Sequence, residues 1–423
     1  MSSKNITENI GLDLDKRYRW LILSLLFLTI LIAFIGRLST SVALEEIGSD
    51  LVWSDAEHGF LGGLLMGVFL IPYGFSNIFL SPNIDRYGSK ITLTFALSGG
   101  SIAVFLGAFY GHNYTIFLIS RMILGLSQGM MYPIATKVIA GWFEEKKRNK
   151  ANSIFMIGAP FGIAIAPIIM GPVIRYTGWR ASFYLVAMLG LLLIVPILLV
   201  INDTPSQKKR VVDKSKKEDS QKKHLLKDFK DLLFNDKFQQ ITFGFTAVNT
   251  VFWGTTLWLP SYLEHTTGFD ISESAYLAAI PYVGAILGML IGSWVSDLKG
   301  SSNGIILFSL LASGITILGL TVFPISGAYI ALILLFFVFL FGQLAPPLFF
   351  TKLQNSTSNN KLGSATGLMN GIANTFGFVG PVSVGVIIAL TDSYDLGLVF
   401  LSIIAFLGFL SFGKYLKKSE NSI

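Results

Sequence analysis

The chain has 423 residues, of which 52% are hydrophobic and only 13% charged, and its net charge is +7. A soluble domain carries about 25% charged residues, so this composition excludes an ordinary soluble protein. The basic residues lie at the ends of apolar runs and in one central segment, which indicates membrane topology and not a nucleic-acid partner. Without cysteine, the sequence offers no disulfide, thiolate metal site or cysteine nucleophile.

Twelve apolar runs of about the length that crosses a bilayer follow one another, six on each side of a polar stretch. They lie at 20–44, 59–80, 91–110, 115–141, 152–174, 182–201, 239–263, 275–296, 303–323, 327–350, 365–390 and 396–413. This pattern predicts an all-α membrane protein with twelve transmembrane helices, arranged as two six-helix bundles with pseudo-two-fold symmetry. The runs contain no paired acids, metal-ligand cluster or activated nucleophile, so we predict no enzyme, metal site or cofactor.

Orientation follows from the basic residues, which gather on one side if the helices alternate. The opposite loops at 45–58, 111–114 and 264–274 carry no lysine or arginine, and Arg175 and Arg180 are the exceptions. We therefore predict a multi-pass protein of the cell membrane with both termini in the cytoplasm. The predicted divisions are a terminus at 1–19, a bundle at 20–201, a cytoplasmic linker at 202–238, a bundle at 239–413 and a terminus at 414–423.

The linker is rich in lysine and aspartate and ends in an amphipathic stretch. The pattern favours a solvated tether, and a regulatory or lipid-binding role stays open.

A short turn is repeated at the same place in each half, as Ser81 to Lys90 after the second run and Ser293 to Gly300 after the eighth. Its glycines permit tight turns, and its aspartates can cap or pair at a helix end. The turns resemble the loop between helices two and three of the major facilitator superfamily. We predict that this motif acts in conformational change, through Asp85, Arg86, Gly88 and Asp297.

Longer segments resemble the anion:cation symporter branch of that superfamily. They are Gly36 to Ala43 in helix one, Arg121 to Pro133 in helix four, and Asn249 to Leu263 with its Trp-Leu-Pro-Ser-Tyr-Leu ending. Carriers of this branch move galactonate, hexuronates, phthalate, sialic acid or glutamate. The resemblance implies secondary transport of a small organic anion such as a sugar acid or an aromatic acid, by alternating access between two rocking bundles.

Arg37 and Arg121 lie inside predicted membrane helices, with no acidic residue beside them in either helix. An arginine at a helix centre costs about 2.5–3.5 kcal/mol even on lenient insertion scales, so it usually faces an interior and has a partner. We predict that the missing partner is the carboxylate of the substrate. The alternative is that Arg37 reaches the outer surface and Arg121 pairs with Glu45 or Glu46.

The remaining predicted binding residues are neutral. Tyr73 and Gln128 belong to the first half, while Asn249, Trp253, Thr256 and Asn374 of the second would hold the hydroxyl groups or the apolar body of an amphipathic acid. Helix-to-helix hydrogen bonding is the alternative for each neutral residue.

Gln128 and Gly36 replace acidic residues of the branch pattern, and the histidines fall in outer loops or the linker. A coupling ion, H⁺ or Na⁺, therefore has no assigned carrier. We predict uniport, exchange or coupling through an unassigned group in a monomer embedded in the lipid bilayer. Other cargoes on the same fold stay open: an organic phosphate, an inorganic anion, a neutral metabolite or a drug.

Overall fold

A computed structural model of the chain describes residues 3–80, 87–143, 145–201, 229–267, 277, 279–299, 301–322, 328–357 and 362–420. Helices occupy nearly all of these residues. They form twelve consecutive segments that correspond to the twelve apolar runs of the sequence, which confirms the predicted all-α architecture.

Segments 1 to 6 form the first half. Their helices are Ser3–Val42 for segment 1; Asp55–Gly67, Leu70–Phe75 and the π-helix Ser76–Leu80 for segment 2; Ser89–Phe109 for segment 3; Tyr114–Gln128 and Met131–Trp142 for segment 4; Glu145–Thr177 for segment 5; and Trp179–Val200 for segment 6. A short helix, Leu44–Asp50, connects segments 1 and 2.

Segments 7 to 12 form the second half. Their helices are Asp236–Thr267 for segment 7; Ala279–Lys299 for segment 8; Asn303–Val322 for segment 9; Ala328–Gly342 and Pro346–Ser356 for segment 10; Leu362–Gly377 and Val379–Thr391 for segment 11; and Tyr394–Glu420 for segment 12.

Within the described residues, ten segments are long and apolar enough to cross a membrane. The other two are segments 4 and 7. Segment 4 is divided into helices of 15 and 12 residues. Segment 7 is 32 residues long, but asparagine and threonine residues dilute its hydropathy. These two segments carry five of the eight predicted binding residues, and polar residues inside a membrane helix usually face the interior of the bundle.

Large apolar side chains cover the outside of the bundle, as expected where lipid is the solvent. Phe95, Leu192 and Ile333 are 61%, 59% and 57% exposed, while the interior is closely packed. In the first half, segment 1 packs along segment 5 and segment 3 along segment 6. In the second half, segment 9 packs along segment 12 and segment 8 along segment 10.

The two halves meet where segment 2 packs along segment 11, segment 5 against segment 8 and segment 1 against segment 7. Glycine allows the helices to touch at both ends of the first contact. A β-carbon on Gly59 would lie 2.7 Å from the Ala389 nitrogen, and one on Gly74 would collide with Thr375. Segments 2 and 11 are therefore in close contact at two points 15 residues apart along segment 2.

Two sides of the bundle are distinguished by charge. The side we call acidic contains Glu45, Asp50, Asp55, Glu264 and Asp392, and the side we call basic contains Lys90, Lys299, Lys352 and Lys414.

The prediction that His58 and His265 lie in outer loops was wrong. His58 lies in the first turn of Asp55–Gly67, and His265 lies in the last turn of segment 7.

The repeated turn is seen in part. Gly88 precedes segment 3 with φ of +83°, a conformation that strains any residue with a β-carbon, so the predicted need for glycine is explained. Asp297 is exposed near the end of segment 8. Asp85 and Arg86 lie outside the described residues, as does most of the predicted linker, residues 202–228.

Candidate functional site

The guanidinium of Arg37 is buried at the centre of the first half, with the residue only 1% exposed. Its Nε donates a hydrogen bond to Gln128 Oε1 over 2.7 Å. The rings of Phe34 and Tyr73 lie 4.2 and 4.5 Å from Cζ, close enough for cation–π attraction. Aromatic faces and one neutral amide thus surround a permanent positive charge.

Arg37 retains an unused donor. Its Nη2 is buried and has no hydrogen-bond partner. Among the described residues, no carboxylate forms an ion pair with it. A buried cation with an unpaired N–H is costly on its own, so the arrangement favours an incoming anion.

Arg121 is equally buried, at 2% exposed, but its donors are all directed at backbone. Nη2 donates to the Arg37 carbonyl over 2.7 Å, Nη1 to the Gly36 carbonyl over 3.1 Å and Nε to the Leu65 carbonyl over 3.4 Å. The alternative pairing with Glu45 or Glu46 is not found. Arg121 therefore ties segment 4 to segments 1 and 2 and fixes the backbone that carries Arg37.

Gln128 reaches Arg37 because its neighbours are small. A β-carbon on Gly100 of segment 3 would lie 2.9 Å from Gln128 Nε2. Gly125, one turn earlier, lies directly against the Phe69 carbonyl of segment 2, so a neighbouring helix packs closely there. The amide satisfies one donor of Arg37 without neutralising its charge.

Trp253 brings the second half to this site. Its ring stacks on Phe34, with centroids 6.3 Å apart and planes 14° apart, and it meets Phe69 edge-on at 5.4 Å. Phe34 is the ring that also covers Arg37. A continuous aromatic wall therefore runs from the guanidinium into segment 7.

The other neutral residues of the second half are less directly placed. Asn249 donates to the Ala373 carbonyl over 2.8 Å and lies with Trp253 against Gly377. Asn374 donates within its own helix to Asn370, over 2.8 Å to the carbonyl oxygen and 3.1 Å to Oδ1. The Thr256 hydroxyl is fully buried with no partner.

The structure thus brings Arg37, Tyr73, Gln128 and Trp253 together and puts Arg121 behind them as their support. Sequence reasoning missed Phe34 and Phe69. The available signal was helical spacing, since Phe34 lies three residues before Arg37 and Phe69 four before Tyr73, which puts each pair on one helix face.

Known proteins resemble this chain in sequence. A Bacillus subtilis hexuronate transporter is 27% identical over 88% of this chain and 88% of its own length. A protein of Cupriavidus necator named as a probable sulfoacetate transporter is 28% identical over 89% of each chain. These relatives confirm the resemblance to the anion:cation symporter branch.

Solved structures agree on the fold. A D-xylose–proton symporter superposes with a TM-score of 0.75 at 16% identity, covering 93% of this chain and 97% of that one. An inward-facing bacterial homolog of the human lysosomal transporter Spinster gives 0.74, also at 16%, covering 95% and 97%. The family model described as Major Facilitator Superfamily matches residues 26–381. The chain therefore belongs to the major facilitator superfamily of membrane transporters.

Proposed function

We propose that this transporter carries a small organic anion, and that Arg37 binds the carboxylate. The observation that supports it is the buried guanidinium with an unpartnered Nη2 and only a neutral amide on Nε. A carboxylate that accepts from Nη2 neutralises the site and forms a charge-assisted hydrogen bond, which is about twice as strong as a neutral one. The relatives named for hexuronate and sulfoacetate, both carboxylates, support the same class of cargo.

Gln128 makes this site selective for charge. An acidic residue at that position would pair with Arg37 permanently, and a substrate would have to displace it. The glutamine oxygen holds the guanidinium in place but leaves its full positive charge for the cargo. The aromatic wall of Phe34 and Trp253 suits an apolar body or the C–H face of a sugar acid.

In the proposed cycle, the two halves rock about the buried site and open it alternately to the acidic and the basic sides. The closed contacts of segment 2 with segment 11 are the ones that must separate. The distribution of lysine and arginine supports a cytoplasmic basic side, with both termini in the cytoplasm of a cell-membrane protein.

The test is a thermal-unfolding screen of the purified protein with sugar acids, aromatic acids, dicarboxylates and acidic amino acids. A ligand at a hundred times its Kd adds about 2.7 kcal/mol of stability. We expect an acid to stabilise the native protein and not the Arg37→Ala variant. The matched control is Arg180→Ala, which removes an arginine that pairs with Asp50 outside the site. Equal stabilisation of native and Arg37→Ala proteins by a neutral sugar would overturn the proposal.

A further inference from the structure

A second group of ionisable residues lies away from Arg37, on the acidic side. Glu45 belongs to the short helix after segment 1, and His58 lies in the first turn of segment 2. His58 Nε2 is 3.2 Å from Glu45 Oε2, which is ion-pair distance. The side chains are only 15% exposed for His58 and 33% for Glu45.

The second half covers this pair. The Trp258 ring of segment 7 meets the His58 ring edge-on at 6.3 Å. Ser261, one turn further on, is 1% exposed and faces Glu45. Nearby, the Ser41 hydroxyl donates to the Leu257 carbonyl, which joins segment 1 to segment 7. Because these covering residues come from the other half, opening of the acidic side would expose the pair on this face, while Gly48 and Trp53 of its own half stay against His58.

The pair lacks hydrogen bonds that would make its burial cheap. Glu45 Oε1 and Ser261 Oγ are buried atoms without a hydrogen-bond partner, and His58 Nε2 has Glu45 Oε2 beside it only at ion-pair distance. A carboxylate in such a place is strongly unfavourable unless a cation stands beside it. His58 can be that cation, since histidine changes its charge between about pH 5 and 8.

Electrostatics at Glu45 agree with this arrangement. Burial raises the pKa of the Glu45 carboxyl, but His58 and Ser261, with a smaller contribution from His265, hold the pKa below its usual value. The carboxylate therefore stays ionised beside the imidazole of His58. Other charged groups lie on the elements that pack around the pair: Glu46, Asp50 with Arg180, Asp55, Glu57, Glu264, Asp392 and Asp395. Acidic groups predominate among them.

We propose that Glu45 and His58 form a proton-binding latch, in which a proton taken up by His58 from the acidic-side solution stabilises closure of the two halves over the pair. Closure buries the Glu45 carboxylate whether or not His58 carries a proton. The free-energy cost of this burial is smaller when the imidazole is positive, so closure and protonation of His58 favour each other by linkage. This inference rests on the rocking of the two halves in the proposed function but not on the identity of the cargo.

The sign of the pH effect follows. A proton on the imidazole increases its attraction to the Glu45 carboxylate, and histidine side chains in general take up this proton as the pH falls through the range of about 8 to 5, so the acidic side closes more. Ionised Glu45 also stabilises the closed state. This stabilisation is fully present above the ordinary carboxyl pKa, and it is lost as the pH falls through the lowered pKa of Glu45, where the carboxylate is neutralised. The closed state is therefore most populated at mildly acidic pH.

Spin labels measure this closure directly, because the chain contains no cysteine to remove. One label is placed by Ala56→Cys at the start of segment 2 and one by Leu390→Cys at the end of segment 11. Both positions are exposed, close to the point where Gly59 touches Ala389. Pulsed electron–electron distance measurements in the full-length protein then report the closed and open populations of the acidic side.

In the labelled protein, we expect the closed-to-open ratio to rise at least about fivefold between pH 8 and 6, the lower end of typical coupling between sites. Glu45→Gln removes the buried charge and should abolish the rise. His58→Gln leaves the carboxylate without a cation and should lower the closed population at pH 6. Glu46→Gln, the same change one residue on, is the matched control and should behave like the parent protein.

A ratio that does not change between pH 8 and 6, or a Glu45→Gln protein with the parent's pH response, would overturn the latch. Arg37→Ala in the same labelled background separates this outcome from the question of cargo. It should lose stabilisation by the acid and keep the pH response, so each proposal can fail without the other.

Discussion

Arg37 and Arg121 are residues of the same type, buried in the same apolar interior. They differ in the hydrogen-bond acceptors that their guanidinium groups meet. Arg121 directs three donors at carbonyl oxygens of segments 1 and 2. Arg37 has one neutral acceptor and an Nη2 with none. Burial of a charge marks both as unusual, but only the list of partners separates the arginine that supports the site from the arginine that binds.

The two roles depend on each other. Arg121 bonds to the carbonyl of Arg37 itself and to that of Gly36, so it fixes segment 1 where the binding guanidinium leaves the helix. A site held in this way needs little rearrangement when the cargo arrives, which favours affinity.

The largest effect is expected for Arg37→Ala. Removing one partner of a buried charge pair costs about 2–5 kcal/mol of binding, so affinity for the acid should fall by about thirtyfold to a few thousandfold. Stability without ligand should change little, because the lost cation was not fully paired. Isothermal titration measures the affinity and thermal unfolding the stability. A large loss of stability with intact affinity would reverse the roles of the two arginines.

Arg121→Ala should show the opposite balance. It removes three charge-assisted hydrogen bonds to backbone, and we expect the free energy of unfolding to fall by roughly 2 kcal/mol. Any loss of affinity should follow from loosening of segment 1. The measurement is thermal unfolding in detergent without ligand, compared with Arg37→Ala under the same conditions. Equal stability of the two variants would show that the partners do not distinguish them.

Gln128→Glu should convert Arg37 into a fully paired arginine. The new carboxylate would lie where Gln128 Oε1 now accepts over 2.7 Å, so it competes with the cargo for the same charge. We expect affinity to fall about tenfold and unliganded stability to rise. Unchanged affinity in Gln128→Glu would argue against charge neutralisation as the basis of binding.

Trp253→Ala should have the smallest effect. It removes the ring that stacks on Phe34 and leaves every contact of Arg37 in place. Aromatic pairs are worth about 0.5–1.5 kcal/mol beyond their area, so we expect a several-fold loss of affinity. Trp253→Phe should restore most of it. If the alanine variant binds the acid as tightly as the native protein, the aromatic wall packs the helices together and does not contribute to binding.

The sequence was sufficient to locate the helices and to single out two arginines that the structure shows buried. Length and hydropathy located twelve segments, and the cost of charge in lipid identified Arg37 and Arg121. It was not sufficient for their partners, since those depend on how each helix is rotated against its neighbours. The contact of Gly125 with Phe69, for example, decides which face segment 4 turns toward segment 2.

His58 shows a signal that was present and overlooked. Ser54 and Glu57 form a capping box, in which the serine side chain accepts from the Glu57 nitrogen and the Glu57 carboxylate accepts from the Ser54 nitrogen. This pattern of Ser-x-x-Glu before an apolar run starts a helix at Asp55 and places His58 inside it. Its approach to Glu45 could not be predicted, because it depends on the chain turn at Leu51 and Val52, where Val52 has φ of +55°.

The central claim is that Arg37 makes binding depend on the negative charge of the cargo. Comparing the affinities of two ligands for two proteins tests it most directly. The acid found in the screen and its neutral carboxamide are titrated into the native protein and into Arg37→Ala. We predict that the native protein prefers the acid by about a hundredfold or more and that Arg37→Ala shows no preference. An undiminished preference for the acid in Arg37→Ala would contradict the account.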